Sequence, residues 1–434
     1  MSETLKNKKV LVMGLGLNGG GVGVAKFFCE KGAEVLVTDL KTEEQLKESL
    51  KKLKGLKIKY ALGGHKEGDF LQADLILKNP DVPSSSPYLE IARKNNIPVE
   101  TDVGLFFKLS KAFIIGVTGT KGKSTTASLI YHLIKSQSKS AFLAGNIGVS
   151  PLELLSEIKK GDRVVLELSS FELEGLTQSP NIAVITNIMP DHLNRYATMT
   201  DYVQAKKTIF KFQKTKDILV LNNKDPFAKE FAKQARSKVC YFDSDSVEGT
   251  DFKLLGQHNK ANLAAAVEVA KLLKISDLNM RKALKTFKGV PNRQEFIKEI
   301  NGVKYFNDTT ATMPEATITA VQAFLENFPD SRLLLICGGM DKGLKYKKLA
   351  KIIRERIDEL IVLPGTASDK IKQAIRDYTR MHEVSSMREA VKIAKKLAKK
   401  NDVVVLSPAA ASFNLFKNEF DRGSQFVKAV KDLK

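Results

Sequence analysis

The chain has 434 residues, of which 43% are hydrophobic, and a formal net charge of +21. This length predicts two to four domains with ordinary apolar cores. The three cysteines, Cys29, Cys240 and Cys337, show no metal or disulfide spacing, and no apolar run approaches membrane-spanning length, so we expect a soluble cytoplasmic protein and exclude disulfide-rich and membrane-inserted classes.

The positive charge raises the possibility of nucleic-acid binding. Lysines cluster at residues 47–59 and 392–400, where they alternate with apolar residues as on the solvent face of a helix. No basic patch interleaved with aromatic residues accompanies them. We therefore expect no nucleic-acid partner, and interpret the charge as a field that gathers anionic substrates.

The first predicted strand, residues 9–13, leads into a glycine-rich turn at 14–19 and a helical pattern. A second strand, 34–38, ends at Asp39. The three glycines of the turn and this acid have the spacing of a dinucleotide-binding βαβ unit. An NAD-linked dehydrogenase is one interpretation, but the same fold is reused for other nucleotides. Strands and helices alternate to residue 110, where we place the end of the first domain.

The next motif is a phosphate-binding loop. Apolar residues at 112–117 predict a buried strand, and apolar residues at helical spacing follow from Ala127. Between them lies Gly-Thr-Lys-Gly-Lys-Ser at 119–124. Its glycines let backbone N–H groups face phosphate oxygens, Lys123 supplies positive charge, and Ser124 can bind Mg²⁺. The strict pattern requires glycine where Val117 stands, yet the loop predicts that the chain binds ATP or GTP.

Several polar residues follow predicted strands of this second domain. Glu167 ends a strand near the phosphate loop, as a Mg²⁺ ligand or a helix-capping acid. His192 follows another strand and is either structural or a metal or substrate ligand. Asn146 caps a turn or contacts a substrate. Asn259 and Asn262, near a helix start, bind a purine or cap the helix.

The helical and strand pattern breaks near residues 290–293, and a third set of strands follows at 333–336, 360–363 and 403–406. We therefore predict an α/β protein of three consecutive domains, at residues 1–110, 111–292 and 293–434. Sites in such proteins form at the clefts between domains.

Six motifs of the chain occur in the order found in the Mur ligases. They are the loop at 119–124, Glu-Leu-Ser-Ser-Phe at 167–171, Asp-His at 191–192, His-Asn at 258–259, Asn-Asp at 307–308, and Ser-Pro-Ala at 407–409. The whole chain resembles this family, particularly its D-glutamate-adding members. The resemblance implies a Rossmann-like UDP-binding domain, a central P-loop ATPase domain and a C-terminal Rossmann-like domain, acting as a monomer.

The resemblance also implies a reaction and its site residues. ATP activates the carboxylate of UDP-N-acetylmuramoyl-L-alanine as an acyl phosphate, which the amine of D-glutamate attacks, in peptidoglycan precursor synthesis.

The implied catalytic residues are Lys123, Glu167, His192 and Lys206. The ligands of two Mg²⁺ ions are Ser124, Glu167, His192 and a carbamylated Lys206. ATP would contact Gly119, Thr120, Lys121, Gly122, Lys123, Ser124, Thr125, Asn259, Asn262, Arg293 and Asp308. The UDP-substrate would contact Leu15, Asp39, Leu40, Asn146 and Ser169. D-glutamate would contact Thr312, Lys342, Ser412 and Phe420.

Five residues depart from the family pattern. Thr310 stands in place of a lysine, Asn292 in place of a histidine, Glu172 in place of a glutamine, Asp81 in place of a glycine, and Glu419 in place of an aromatic residue. These departures leave open a related ligase with a different amino-acid substrate. A non-catalytic nucleotide-binding protein is a further alternative.

Overall fold

The computed structural model describes residues 5–433 except 18, 139, 192–194, 249, 251, 253 and 414. The chain forms two compact units, Met1–Glu248 with Ala261–Ala283, and Gly249–Lys260 with Leu284–Lys434. Among the described helices, none is long and apolar enough to cross a membrane.

The first unit begins with a five-stranded parallel sheet in the order β3-β2-β1-β4-β5. Its strands β1–β5 are Lys9–Met13, Glu34–Asp39, Ile58–Leu62, Leu75–Lys78 and Val99–Glu100. Its helices α1–α5 are Gly20–Glu30, Glu43–Lys51, Glu67–Leu71, Pro87–Lys94 and Asp102–Leu109. The lysine cluster at 47–59 is therefore helical only to residue 51 and enters β3 at residue 58, so the prediction of a continuous helical face was wrong there.

The same unit contains a second, six-stranded parallel sheet in the order β11-β10-β9-β6-β8-β7. Its strands β6–β11 are Phe113–Thr118, Ala141–Gly145, Arg163–Glu167, Ile182–Ile185, Ile218–Asn222 and Lys238–Phe242. Its helices α6–α11 are Lys123–Gln137, Ser170–Leu173, Met199–Lys211, Ala228–Gln234, Gln257–Leu272 and Asp277–Thr286, of which α10 starts in the other unit. A short 3₁₀ helix covers Ser244–Val247.

The second unit contains a six-stranded sheet in the order β12-β13-β17-β14-β15-β16. Its strands β12–β17 are Glu295–Ile300, Val303–Asn307, Leu333–Gly338, Glu359–Leu363, Met381–Glu383 and Val403–Leu406. Its helices α12–α16 are Pro314–Asn327, Lys347–Arg356, Thr366–Ala374, Met387–Leu397 and Glu419–Lys431. The β12–β13 pair is antiparallel and all other pairs are parallel.

The central strands are apolar along their whole length because helices cover both faces of each sheet. Every residue of β9, β14 and β17 is buried. The predicted α/β class is confirmed, with three sheets in chain order. Polar residues that directly follow such strands lie at the carboxyl edge, where open parallel sheets bind their ligands.

Candidate functional site

The phosphate-binding loop connects the carboxyl end of β6 to α6, a helix of 15 residues. Gly122 caps this helix with φ 84°, a left-handed conformation that glycine adopts without strain. Gly119 has φ 146°, and a Cβ there would overlap the Thr186 hydroxyl. The loop therefore places backbone N–H groups at the positive end of a long helix, where a phosphate is favoured.

The residues that follow β9 hold this loop in place. The Thr120 N–H donates to the Asn187 carbonyl at 2.8 Å, and the Lys121 N–H donates to the Asn187 side-chain oxygen at 2.9 Å. The Thr186 hydroxyl donates to the Lys121 carbonyl at 2.6 Å. Because β6 and β9 are neighbours, these bonds fix the path of the loop from an adjacent strand end.

Two lysines from different elements contact the loop. The Lys123 ammonium lies 3.1 Å from the Gly119 carbonyl and 3.0 Å from the Thr120 carbonyl. Lys206, from α8, is 1% exposed and donates to the Gly119 carbonyl at 2.8 Å. Burial, and then the positive charge of Lys123, lower the pKa of Lys206 well below its usual range. Burial thus favours the neutral, nucleophilic amine at this position.

Glu167 ends β8, beside the loop strand β6, and is 2% exposed. Its Oε1 accepts a hydrogen bond from the Asn146 amide at 3.2 Å, whereas its buried Oε2 has no hydrogen-bond partner among the described residues. The next helix is capped by Ser169 and Glu172, so Glu167 is not its capping acid. An unpaired buried carboxylate oxygen is costly unless a cation meets it. Glu167 and the Ser124 hydroxyl are oxygen donors of the kind that Mg²⁺ prefers.

His192 lies outside the described residues. Its neighbour Asp191 pairs with Lys121, with 3.3 Å between the carboxylate and the ammonium. Among the described residues, no three His, Cys, Asp or Glu side chains form a metal cluster. A cation beside Glu167 would therefore take its further ligands from groups other than the described His, Cys, Asp and Glu side chains.

The glycine-rich turn after β1 is joined to Asp39 at the end of β2. The Asp39 carboxylate accepts the Gly16 N–H at 3.0 Å and the Lys41 N–H at 2.9 Å. Leu15 is fully buried, backbone included, so it exposes no surface to a ligand in this structure. Leu40 is 69% exposed, as a residue available to a ligand must be.

Arg195 connects the two sheets of the first unit. Its guanidinium donates to the carbonyls of Pro80 and Asp81, at 3.1 and 3.0 Å, in the turn after β4. It also stacks 4.0 Å from the ring centre of Phe171 and pairs with Glu174 at 3.4 Å. No sequence pattern predicts this contact, because any arginine can donate to backbone carbonyls.

Glu172, one of the five residues that depart from the family pattern, is buried two positions before Glu174, the ion-pair partner of Arg195. Its carboxylate accepts the Ser169 N–H at 2.7 Å. Burial first, and the nearby negative charge of Asp102 second, raise the pKa of Glu172 to about 8. The side chain therefore carries a proton through much of the neutral range.

In the second unit, Asp308 follows β13 and is buried. It accepts hydrogen bonds from the Ser407 hydroxyl at 2.8 Å and from the Gln294 N–H at 3.2 Å. Burial raises the pKa of Asp308 to about 7, and the positive charge of Arg293 opposes this shift. Asn259 is also buried in this unit, where its amide donates to the Leu255 carbonyl at 2.8 Å.

Asn262 belongs to the first unit. Its side-chain oxygen accepts the Thr126 hydroxyl at 3.2 Å, and a Cβ at Gly122 would overlap it. Asn262 therefore packs directly against the phosphate loop. Thr125 lies one turn into the loop helix and is buried.

Three predicted amino-acid ligands lie on joined loops of the second unit. The Lys342 ammonium is 3.4 Å from the Thr312 hydroxyl. Met340 and Ala411 exchange two backbone hydrogen bonds, of 2.9 and 3.0 Å, which places the segment before Lys342 beside the segment before Ser412. Because these loops follow β13, β14 and β17, they share the carboxyl edge of one sheet.

Arg422 lies fully buried behind these loops. Its guanidinium donates to the Thr309 carbonyl at 2.8 Å, the Thr309 hydroxyl at 3.0 Å and the Ala410 carbonyl at 3.0 Å. Burial lowers the pKa of Arg422 to about 10. Phe420 is about half exposed, and the Glu419 carbonyl accepts the Thr309 hydroxyl at 2.9 Å. No sequence pattern identifies this role of Arg422.

Comparison with known proteins assigns each part of the chain to one family. Residues 8–101 match the N-terminal domain of MurD-like Mur ligases, residues 117–248 the Mur ligase middle domain, and residues 292–410 the Mur ligase glutamate ligase domain. The chain is 40% identical to the UDP-N-acetylmuramoylalanine–D-glutamate ligase of Roseiflexus sp., over 98% of this chain and 99% of the relative. It is 36% identical to the enzyme of that name from Acetivibrio thermocellus, over 99% and 98%.

Solved structures share the fold at lower identity. The UDP-N-acetylmuramate–alanine ligase of Thermotoga maritima aligns with a TM-score of 0.63 at 21% identity, over 98% of this chain and 100% of that one. The MurF ligase of Thermotoga maritima in complex with ADP aligns with a TM-score of 0.59 at 19% identity, over 99% and 97%.

Proposed function

The chain belongs to the Mur ligase family, and from this premise we propose that it is an ATP-dependent amide ligase adding D-glutamate to UDP-N-acetylmuramoyl-L-alanine. The relatives that carry this activity in their names match the chain over nearly its full length. The observation that carries the chemistry is the carboxyl edge of β6, β8 and β9. It brings together a phosphate loop, a buried carboxylate with one unpaired oxygen and a buried lysine.

The reaction proceeds in two steps. The terminal carboxylate of the UDP-substrate attacks the γ-phosphorus of ATP, and ADP leaves to give an acyl phosphate. The amine of D-glutamate then attacks the carbonyl carbon, and phosphate leaves with the amide formed. A carboxylate is a poor electrophile, so activation must precede the attack, and positive groups must meet the charge that develops. The loop N–H groups and Lys123 do this for the nucleotide phosphates.

One magnesium ion would be held by Ser124 and Glu167, and a second ion would be held by Glu167, His192 and Lys206. They would neutralise charge on the phosphate oxygens. An ammonium cannot bind a cation, so Lys206 would serve as a ligand only once its neutral amine had added CO₂ and released a proton to give a carbamate. Burial of the Lys206 amine and its depressed pKa support that modification.

The remaining assignments divide between the two units. In the first unit the loop and Asn262 are the proposed nucleotide ligands, and in the second unit they are Asn259, Arg293 and Asp308. The turn containing Leu15, with Asp39 and Leu40, holds uridine, and Asn146 and Ser169 lie on the path of the sugar-linked substrate. Thr312, Lys342, Ser412 and Phe420 bind D-glutamate, whose two carboxylates suit a lysine and hydroxyl donors.

We also infer a cytoplasmic monomer whose three domains divide near residues 110 and 292. The sheets support this division, since α5 ends at Leu109, β6 begins at Phe113 and β12 begins at Glu295.

Phosphate release from ATP tests the proposal. We expect release that requires both UDP-N-acetylmuramoyl-L-alanine and D-glutamate. Release with another amino acid would keep the mechanism and refute the specificity. Silence with every amino acid would refute ligase activity and favour a non-catalytic nucleotide-binding protein. A change in nicotinamide absorbance on substrate addition would favour the dehydrogenase interpretation instead.

A further inference from the structure

Two residues that depart from the family pattern contact each other in the second unit. The Thr310 hydroxyl donates to the Asn292 carbonyl at 2.9 Å, and the Thr310 N–H donates to the same oxygen at 3.3 Å. The residues are 18 positions apart in the chain, so this contact is tertiary. Both side chains are partly buried, which limits competition from water.

The other polar groups of Asn292 are held as well. Its N–H donates to the Glu295 carboxylate at 2.8 Å, and its side-chain oxygen accepts the Asn307 amide at 2.9 Å. Gly423 packs against the same oxygen so closely that a Cβ there would overlap it. Asn292 is therefore fixed through its N–H, its carbonyl and its side chain.

This fixation supports an unusual backbone around Arg293. Asn292 has φ 67° and Gln294 has φ 44°, so Arg293 lies between two left-handed residues that are not glycine. Such conformations are costly and persist where surrounding contacts hold them. On the far side, the Gln294 N–H donates to the Asp308 carboxylate at 3.2 Å.

We propose that Thr310 and Asn292 are positioning residues that hold Arg293 in the orientation that binds the nucleotide phosphates. The inference rests on the proposed function for the assignment of Arg293 to ATP. Thr310 thereby fastens the turn of residues 290–295 through the Asn292 carbonyl. Because the two departures form one bonded pair, we expect neither of them to alter amino-acid specificity.

Equilibrium binding of ATP to Thr310 variants tests the pair. Thr310→Val removes the hydroxyl donor at constant volume and should weaken ATP binding by about three- to tenfold, the worth of one partly buried hydrogen bond. Thr310→Ser keeps the donor and should bind ATP as the unmodified protein does. The KM for D-glutamate should stay unchanged in both variants.

A double-variant cycle separates positioning from loss of structure. In an Arg293→Ala background, Thr310→Val should have no further effect on the Kd for ATP, because the residue acts through Arg293. Asn401→Ala is the matched control, since Asn401 is also left-handed, with φ 76°, in a turn before β17. It should lower the melting temperature without changing the Kd.

Three results would overturn the inference: an unchanged Kd for ATP in Thr310→Val, a raised KM for D-glutamate, or additivity with Arg293→Ala. Failure of the proposed function has a different signature. The unmodified protein would then release no phosphate with any amino acid. The effect of Thr310→Val on the Kd for ATP would still test whether Thr310 and Asn292 position Arg293.

Discussion

Replacing Glu172 with glutamine should stabilise the protein by an amount that depends on pH. The glutamine side-chain oxygen can still accept the Ser169 N–H, but it cannot ionise. In the folded chain the pKa of Glu172 is raised from 4.5 to about 8, chiefly by burial and then by Asp102. Below pH 4.5 the carboxyl is protonated in both the folded and the unfolded chain, so it imposes no ionisation penalty there.

The penalty grows as pH rises from 4.5 towards 8, because the unfolded chain releases the proton first. Each pH unit in that window costs about 1.4 kcal/mol. Between pH 4.5 and 7 this amounts to about 3 kcal/mol, which is the expected gain in the free energy of unfolding for Glu172→Gln at pH 7. At pH 5 the gain should be below about 1 kcal/mol.

Urea unfolding at pH 5, 6 and 7, without nucleotide or divalent cations, measures this difference. Glu389→Gln is the matched control, because Glu389 also accepts N–H and hydroxyl bonds at a helix start, from Ser385. Glu389 is not buried, and those hydrogen bonds lower its pKa, so its replacement should be slightly destabilising at pH 7 and less so near pH 4. A gain for Glu172→Gln that is equal at pH 5 and 7, or a loss at pH 7, would refute the reasoning.

Two further substitutions test the phosphate loop and its buried lysine. Gly119→Ala should reduce turnover by about 100-fold, because its Cβ overlaps the Thr186 hydroxyl and displaces the loop; Gly68→Ala, in open space on α3, is the control and should be neutral. Lys206→Ala should abolish phosphate release, and added formate or acetate should restore part of it by replacing the carbamate. Full activity of Lys206→Ala without added carboxylate would show that Lys206 has only a structural role. Lys211→Ala, on the same helix, is the control and should retain activity.

The local features of the fold were accessible from sequence. The strands predicted at 333–336 and 403–406 are Leu333–Gly338 and Val403–Leu406, because short continuous apolar runs bounded by polar residues are typical of a covered parallel sheet. The phosphate loop could also be predicted, because its two glycines, Lys123 and Ser124 lie within six consecutive residues. The sequence placed Glu167 at the end of such a strand, and only the structure shows that its buried Oε2 has no hydrogen-bond partner among the described residues.

Other features depended on the tertiary structure. The antiparallel β12–β13 pair was not predicted, and the lysine cluster at 47–59 divides between a helix and a strand. The sequence presented the departures at Asn292 and Thr310 as separate substitutions, and only the structure shows that the two residues contact each other.

The sequence by itself determined the α/β class, the order of the motifs and the residue types needed for nucleotide and cation binding. Each of these features depends only on residues that are consecutive or regularly spaced. Tertiary structure decided what Arg195, Arg422 and Thr310 do. Each donates to backbone carbonyls from a distant part of the chain. Every residue carries such a carbonyl, so no pattern of side chains could have identified the acceptors.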